Sequence, residues 1–228
     1  MKIGDIMGWV GTVLSMVFYI APIIPITKLI KKKCNLEEVP GPLLIMSFMN
    51  TIIWTTYGLR GDKTQVFVCN GLGGIISVFF IIIYLIYLAK QNWKLIIMYN
   101  FIFANFIVEI FYIFYKIIKN NNTNGLVAMI FNILMYASPG AKIYEVCKTG
   151  NYDLIPIYSC IVSVFNCISW FIHGLFLEDI NIIIPNGSGI VLAIVQVLVW
   201  GVFYKKNKNK KILDTQIIDK EIKNKNNE

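Results

Sequence analysis

The sequence predicts an all-α membrane protein in which seven transmembrane helices form two parallel three-helix repeats joined by a linker helix (3+1+3). Composition predicts the membrane class, because the 228 residues are 57% hydrophobic and only 15% charged, against about 45–50% and about 25% in soluble domains. A soluble fold of this length has too little interior to bury that surplus. An internal repeat predicts the arrangement of the helices.

Seven apolar segments are long enough to cross a membrane, which requires about 20 apolar residues per helix. They are residues 6–27, 42–59, 66–89, 95–118, 126–147, 155–177 and 181–204, and short polar loops separate them. The first segment differs from a cleavable signal peptide, because Lys2 is the only cation before it and Pro22 and Pro25 stand where a cleavage site would lie. We interpret it as the first span.

The net charge of +8 comes from 21 Lys and Arg against 13 Asp and Glu. With seven spans, 16 of the 21 cations fall on the side of the C-terminus and 5 on the side of the N-terminus. Cation-rich loops remain in the cytoplasm, so we expect a cytoplasmic C-terminus and an outside N-terminus, with the plasma membrane as the location. The charge is therefore a topology signal for the lipid bilayer, and we expect no nucleic-acid partner.

An internal repeat appears when the sequence is compared with itself at an offset of 116 residues. The aligned pairs are Asn50 and Asn166, Trp54 and Trp170, Gly58 and Gly174, Asn70 and Asn186, and Gly73 and Gly189. Pro22 aligns with Pro139 after one inserted residue. Spans 1–3 therefore repeat as spans 5–7 in parallel orientation, an architecture of transporters whose substrate site lies at the repeat interface.

The repeat sets the domain boundaries. Residues 1–89 form the first three-helix bundle, 90–119 the linker helix and 120–204 the second bundle, while the Lys/Asn-rich tail at 205–228 is expected to be disordered. The linker contains Glu109, the one clear carboxylate within a span. Because the linker has no partner in the repeat, we favour a packing role for Glu109 over proton coupling.

Two asparagines and two tryptophans are the candidate substrate-binding residues. Asn70 and Asn186 stand inside apolar stretches, where an unpaired amide is costly. An amide both donates and accepts hydrogen bonds, so such a pair suits a neutral polyol, and the rings of Trp54 and Trp170 suit the apolar face of a sugar. The alternative is structural, with asparagines bonding between helices and tryptophans filling the core.

Other chemistries lack the necessary residues. The five cysteines show no CxxC spacing, and His173 is the single histidine, so we expect neither a disulfide framework nor a metal site. We expect no cofactor. The spans contain no repeated histidine or carboxylate pair, which argues against an enzyme.

Over about residues 6–204 the motifs resemble those of the SWEET (MtN3/saliva) sugar transporters. In the first half these motifs are Ala21-Pro22, residues 54–58 (WTTYG) and residues 70–73 (NGLG). In the second half they are residues 136–139 (YASP), 147–149 (CKT), 155–156 (IP), 170–174 (WFIHG), 178–179 (ED) and 184–187 (IPNG). The family implies two bundles joined by the fourth helix, and facilitated diffusion of mono- or disaccharides without ion coupling.

The resemblance also implies roles for single residues. Asn70 and Asn186 would bind sugar hydroxyls, and Trp170 would stack on the ring. Trp54 occupies a position that varies in the family and is often smaller, which favours monosaccharides. Tyr57 and Asp179 correspond to an outer gate. His173 is a further gate residue, at a position where the family usually has tyrosine.

Four hinge prolines are also implied. Pro22, Pro139 and Pro156 match three of them. By spacing, the fourth family position is Leu43; we assign it to Pro42 with a one-residue slip, although Pro40 is the match of Pro156 in the internal repeat.

Two alternative functions remain open at this stage. A PQ-loop relative could carry amino acids, although the repeats offer amides and indoles instead of charged groups, and a seven-helix receptor would share the span count but not the repeat. The chain has both halves of a path, so a homo-oligomer is possible but not required. Asn121 begins a glycosylation sequon on an outside loop, whereas the sequon at Asn186 lies in an apolar run.

Overall fold

The computed structural model describes residues 2–36, 39, 41–91, 94, 97 and 120–225, with side chains described as far as Asn209. Within these residues all regular secondary structure is helical. Its helices are α1 (Ile3–Ile20), α2 (Ile23–Ile30), α3 (Gly41–Arg60), α4 (Thr64–Gln91), α5 (Asn121–Met135), α6 (Ala137–Thr149), α7 (Ile157–Phe176) and α8 (Ile180–Lys225), with a 3-10 turn at Tyr152–Leu154. The predicted span at 95–118, Glu109 and Pro40 lie outside the described residues.

Two predicted spans are interrupted near their prolines. α1 and α2 form one apolar segment with a break at Ala21 and Pro22, and α5 and α6 form another with a break at Tyr136. Pro22 immediately precedes α2, while Pro139 lies in the first turn of α6. Proline has no N–H with which to continue the hydrogen bonds of the preceding turn, so both helices restart at these points.

The two halves of the chain pack in the same way. In the first half α4 lies against α3 and α1, and in the second half α8 lies against α7 and α5. Between the halves α1 lies against α7, and α3 lies against α5. Exchanging the halves turns each contact into another observed contact, as expected for the predicted two parallel three-helix repeats.

Five described helical segments have the length and composition of membrane spans. They are Ile3–Ile30, Thr64–Lys90, Asn121–Thr149, Ile157–Phe176 and Ile180–Asn209. α3 has 20 residues as well but includes more polar side chains, among them Asn50, Thr51 and Thr55. Large apolar side chains such as Val13 and Ile75 are 69% and 70% exposed, as expected for a surface that faces lipid. The protein is a multi-pass membrane protein.

Glycines allow close approach of the helices within each half. A Cβ atom on Gly58 would lie 2.5 Å from the backbone nitrogen of Phe67, and one on Gly174 would lie 3.0 Å from Ile182. These two glycines are equivalent in the repeat, so each lets the end of one helix pack on the start of the next. Substitution of Gly58 by a larger residue requires the backbone to move.

The tail differs from the expected disorder, because α8 continues as a helix as far as Lys225. The helix is already formed in the preceding apolar segment, so each added residue extends it without a new nucleation step. Lysine and glutamate also have good helix propensity. The sequence indicated a polar tail, but its composition alone did not reveal this continuity with the last span.

Candidate functional site

A cavity of about 140 Å³ lies between the two halves, well above the roughly 10–15 Å³ that one water requires. Most of its wall consists of pairs of residues that are equivalent in the repeat. These pairs are Asn50 and Asn166, Trp54 and Trp170, Val66 and Ile182, Asn70 and Asn186, and Ser15 and Asn132. The structure thus brings the four predicted substrate residues to one cavity, and sequence reasoning missed Asn50, Asn132 and Asn166.

Asn70 and Asn186 hold their amides in the same way. The Nδ2 atom of Asn70 donates to the carbonyl of Val66 at 2.9 Å, and that of Asn186 donates to the carbonyl of Ile182 at 2.8 Å. The Asn70 Oδ1 also accepts from the hydroxyl of Tyr19 at 3.0 Å. Each amide has two N–H donors and uses one of them on its own helix, so one donor of each remains for a ligand.

The two tryptophans have similar surroundings but different polar contacts. Trp54 lies edge-on to Tyr57 at 5.6 Å, and Trp170 lies edge-on to His173 at 5.5 Å. The Trp170 indole N–H donates to the hydroxyl of Ser15 at 3.1 Å. The indole nitrogen of Trp54 is buried and has no hydrogen-bond partner.

Four side chains close the bundle at the end where α1 begins, here called the N-terminal end. The hydroxyl of Tyr57 lies 2.8 Å from both carboxylate oxygens of Asp179 and donates to them. Lys63 donates to Asp179 Oδ2 at 2.6 Å and to the Tyr57 hydroxyl oxygen at 2.7 Å. Asn181 donates to the same hydroxyl oxygen at 3.2 Å. The network joins α3 to the start of α8 and therefore connects the two halves.

Sequence reasoning missed two residues of this network, Asn181 and Lys63. The internal repeat contained the signal, because Lys63 and Asp179 are 116 residues apart and therefore equivalent, with opposite charges. Burial lowers the pKa of Lys63, but its hydrogen bonds to Asp179 and Tyr57 and the attraction of the carboxylate raise the pKa by more. The net direction is upward, so the lysine remains charged at neutral pH.

His173 lies at the same end but in a separate contact. It is buried, and its Nδ1 lies 2.8 Å from the carbonyl oxygen of Gly4 on α1. A Cβ atom on Gly8 would meet the His173 ring at 2.8 Å, and one on Gly125 would meet the Tyr57 ring at 2.7 Å. His173 and Tyr57 are equivalent, as are Gly8 and Gly125, so both interfaces between the halves close by the same aromatic-on-glycine contact.

The predicted hinge prolines lie toward the opposite end, here called the lysine-rich end because it includes Lys28, Lys31 to Lys33, Lys142 and Lys148. Pro42 is the second residue of α3, and Pro156 immediately precedes α7. Pro139 and Pro156 line a second cavity of about 170 Å³ at this end. The halves thus leave a cavity beside these two prolines, whereas hydrogen bonds connect them at the N-terminal end.

Two further expectations concern other chemistry. Among the described residues, no group of three or more histidine, cysteine or acidic side chains has the arrangement of a metal site. Asn121 is the first residue of α5, and its side-chain Nδ2 lies close to Gly61. The side chain is half-buried, which is a poor position for a glycosylation acceptor.

The fold and the site together define a multi-pass helical membrane protein of two parallel three-helix repeats around a polar cavity. The chain belongs to the SWEET (MtN3/saliva) family, described as sugar efflux transporter for intercellular exchange, whose model matches residues 5–92 and again 122–209. The two matches correspond to the two halves. The predicted family is confirmed, and it is a family of transporters and not of enzymes.

Relatives and a solved structure agree with this assignment. The chain is 28% identical over 211 residues to the bidirectional sugar transporter SWEET7 of Arabidopsis thaliana, covering 89% of this chain and 81% of that one. It is 31% identical over 218 residues to SWEET1 of the same plant, covering 92% and 87%. A eukaryotic SWEET transporter of known structure superposes with a TM-score of 0.80 at 21% identity, over 89% of this chain and 97% of that chain, which confirms the 3+1+3 fold.

Proposed function

We propose that the protein is a sugar uniporter, which carries mono- or disaccharides down their concentration gradient in either direction without ion coupling. The observation that supports this is the cavity between the halves, whose twelve lining residues include five asparagines and two tryptophans. Amide groups match the donors and acceptors of neutral hydroxyls, and indole rings match the apolar face of a sugar. Relatives named bidirectional sugar transporters agree with the proposal.

The cavity favours a neutral substrate over an amino acid or an ion. None of its described lining residues is Lys, Arg, Asp, Glu or His. An amino acid carries two charged groups, and burying them without charged partners is costly. The same argument supports transport without a coupled proton, because no described carboxylate lines the cavity.

Within the cavity we assign the sugar hydroxyls to Asn70 and Asn186 and the sugar ring to Trp170. Trp54 narrows the opposite side, and both indoles are nearly fully buried, with 5% and 7% exposure. A cavity between two large rings fits one pyranose better than two. We therefore propose a glucose-like monosaccharide as the favoured substrate.

The two halves would alternate between states open at either end. The present structure is closed at the N-terminal end, where Tyr57, Asp179 and Lys63 connect the halves and His173 contacts α1. Rocking about Pro22, Pro42, Pro139 and Pro156 would open this end and close the other. Because the lysine-rich end is expected to be cytoplasmic, we propose that the closed N-terminal end faces outward in a plasma-membrane protein.

Uptake into liposomes tests this function. Purified protein is reconstituted without any ion gradient, and uptake of labelled glucose, fructose and sucrose is compared with protein-free liposomes. We expect saturable glucose uptake that is faster than sucrose uptake and unchanged by proton or sodium ionophores. Absence of flux with every sugar would contradict sugar transport, and loss of flux on addition of an ionophore would contradict ion independence.

A further inference from the structure

A hydrogen-bonded bridge in the cavity joins the two halves where α1 meets α7, and it is missing from the equivalent contact of α3 with α5. The Trp170 indole N–H donates to the Ser15 hydroxyl at 3.1 Å, and this hydroxyl donates to Oδ1 of Asn166 at 3.0 Å. One hydroxyl thus accepts from an indole and donates to an amide oxygen. A hydroxyl is a group that can do both at once.

The equivalent residues at the other contact between the halves are Trp54 and Asn50 on α3 and Asn132 on α5. The indole and the amide are repeated, but the serine is not, because Asn132 stands at the position equivalent to Ser15 after the one-residue insertion. Trp54 Nε1 and Asn50 Oδ1 are both buried and have no hydrogen-bond partner. They are a donor and an acceptor, one helical turn apart on α3, and both residues line the cavity.

Burial does not account for the difference between the two contacts. Trp54 and Trp170 are 5% and 7% exposed, so both indoles need a partner to the same degree. Buried polar atoms in native proteins nearly always have a hydrogen-bond partner, and each exception calls for an explanation. The atom that Trp54 and Asn50 lack is the hydroxyl that Ser15 supplies on the other side.

We propose that a hydroxyl of the sugar takes this place, accepting from Trp54 Nε1 and donating to Asn50 Oδ1, as Ser15 does with Trp170 and Asn166. The inference rests on the proposed sugar transport, and it adds two protein atoms to the proposed contacts with the sugar. It also orients the substrate, since the bridge to Asn166 is already complete within the protein. Asn50 and the indole N–H of Trp54 are specificity-determining groups, and one sugar hydroxyl lies between them at the contact of α3 with α5.

The proposal is tested by supplying the missing hydroxyl. Asn132→Ser places a serine at the position equivalent to Ser15, and Asn132→Ala is the matched control, because it removes the same amide without adding a hydroxyl. In proteoliposomes we expect a KM for glucose about tenfold higher in Asn132→Ser than in Asn132→Ala, equivalent to losing about 1.4 kcal/mol of binding. Equal KM values in the two variants, with wild-type flux intact, would overturn the bridge but not the proposed function.

Monodeoxyglucoses identify the hydroxyl. In the wild-type protein, removal of one particular sugar hydroxyl should raise the KM about tenfold, and in Asn132→Ser the same removal should have little effect, because the serine already occupies the site. The same preference for that hydroxyl in both proteins would contradict the proposal. Absence of flux in the wild-type protein with any sugar would instead overturn the function on which the inference rests.

Thermal unfolding tests the proposal without transport, and it therefore applies to a variant that reconstitutes poorly. In detergent and without sugar, Asn132→Ser should unfold at a higher temperature than Asn132→Ala, because its hydroxyl gives Trp54 and Asn50 their partner. Excess glucose should then raise the midpoint of Asn132→Ala by more than that of Asn132→Ser. Equal midpoints without sugar would show that a hydroxyl does not fit between the two atoms and would overturn the inference.

Discussion

Lys63 and Asp179 occupy equivalent positions in the two halves, 116 residues apart, and meet in an ion pair with 2.6 Å between Nζ and Oδ2. Both side chains are largely buried, with 17% and 4% exposure. The repeat thus places opposite charges where the two bundles meet. The hydroxyl of Tyr57 binds both partners, so one cluster connects the two halves at the N-terminal end.

Loss of either charge should impair closure of this end. Asp179→Asn or Lys63→Met leaves one charge buried without its partner, a change that costs several kcal/mol in a buried pair. We expect glucose exchange in proteoliposomes to fall at least about tenfold, since each factor of ten corresponds to about 1.4 kcal/mol.

The double exchange Lys63→Asp with Asp179→Lys restores opposite charges at the two equivalent positions and should recover part of the rate. Asp62→Asn is the matched control, because Asp62 lies in the same loop and is exposed, and it should behave like the wild-type protein. Equal rates for Asp179→Asn and Asp62→Asn would show that the ion pair has no part in transport.

The cavity amides should determine affinity. Asn186→Ala removes the remaining N–H donor from the cavity, and a lost hydrogen bond of about 1 kcal/mol or more predicts a KM for glucose raised about fivefold to tenfold. Asn70→Ala should act similarly and also lose the bond to Tyr19. The KM is measured by equilibrium exchange.

Asn207→Ala is the control for these amides, because the Asn207 amide binds the carbonyl of Gly150 away from the cavity. It should leave the KM unchanged. If Asn207→Ala and Asn186→Ala raise the KM equally, the amides act on stability and not on sugar binding.

The size of Trp54 should set the preference for small sugars. Replacing Trp54 by Ala removes a large buried ring from one wall of the cavity, so we expect sucrose uptake to rise relative to glucose uptake, while the affinity for glucose falls. Competition between labelled glucose and unlabelled sucrose measures the ratio. Trp200→Ala is the control, because Trp200 stacks on Tyr204 at 4.7 Å outside the cavity, and a shift of the ratio in that variant would count against a role for Trp54.

The contact between Tyr57 and Gly125 should tolerate no added methyl group. A Cβ atom at position 125 would lie 2.7 Å from the Tyr57 ring and would also meet the Asn181 amide, so Gly125→Ala should hold the N-terminal end apart. We expect loss of most glucose exchange with normal insertion. Gly201→Ala adds a methyl group where nothing lies within 4 Å, and exchange reduced equally in both variants would refute the steric explanation.

The sequence predicted much of this molecule through one regularity, the repeat. Offset alone identified Asn70 and Asn186, and the structure places both at one cavity. It could also have identified Lys63. Lys63 and Asp179 are different residues at equivalent positions, however, so a search for identical residues does not reveal the pair. The missing hydrogen-bond partner of Trp54 could not be predicted. The sequence does not show that α1 packs against the helix of Trp170, or that α5 packs against the helix of Trp54.

Two other features depend on three-dimensional packing. The hydrogen bond from His173 to Gly4 joins residues 169 positions apart, and no local pattern indicates it. The helical continuation to Lys225 follows from its attachment to α8, whereas composition alone favours disorder.

Counterflow measures the central claim, that one cavity between two alternating halves carries the sugar. Proteoliposomes are loaded with excess unlabelled glucose and diluted into a trace of labelled glucose. Alternating access predicts that labelled glucose inside rises transiently above its outside concentration and then declines, because outgoing unlabelled sugar returns the cavity to the outside. A monotonic approach to equal concentrations, with no overshoot at any loading, would contradict the account.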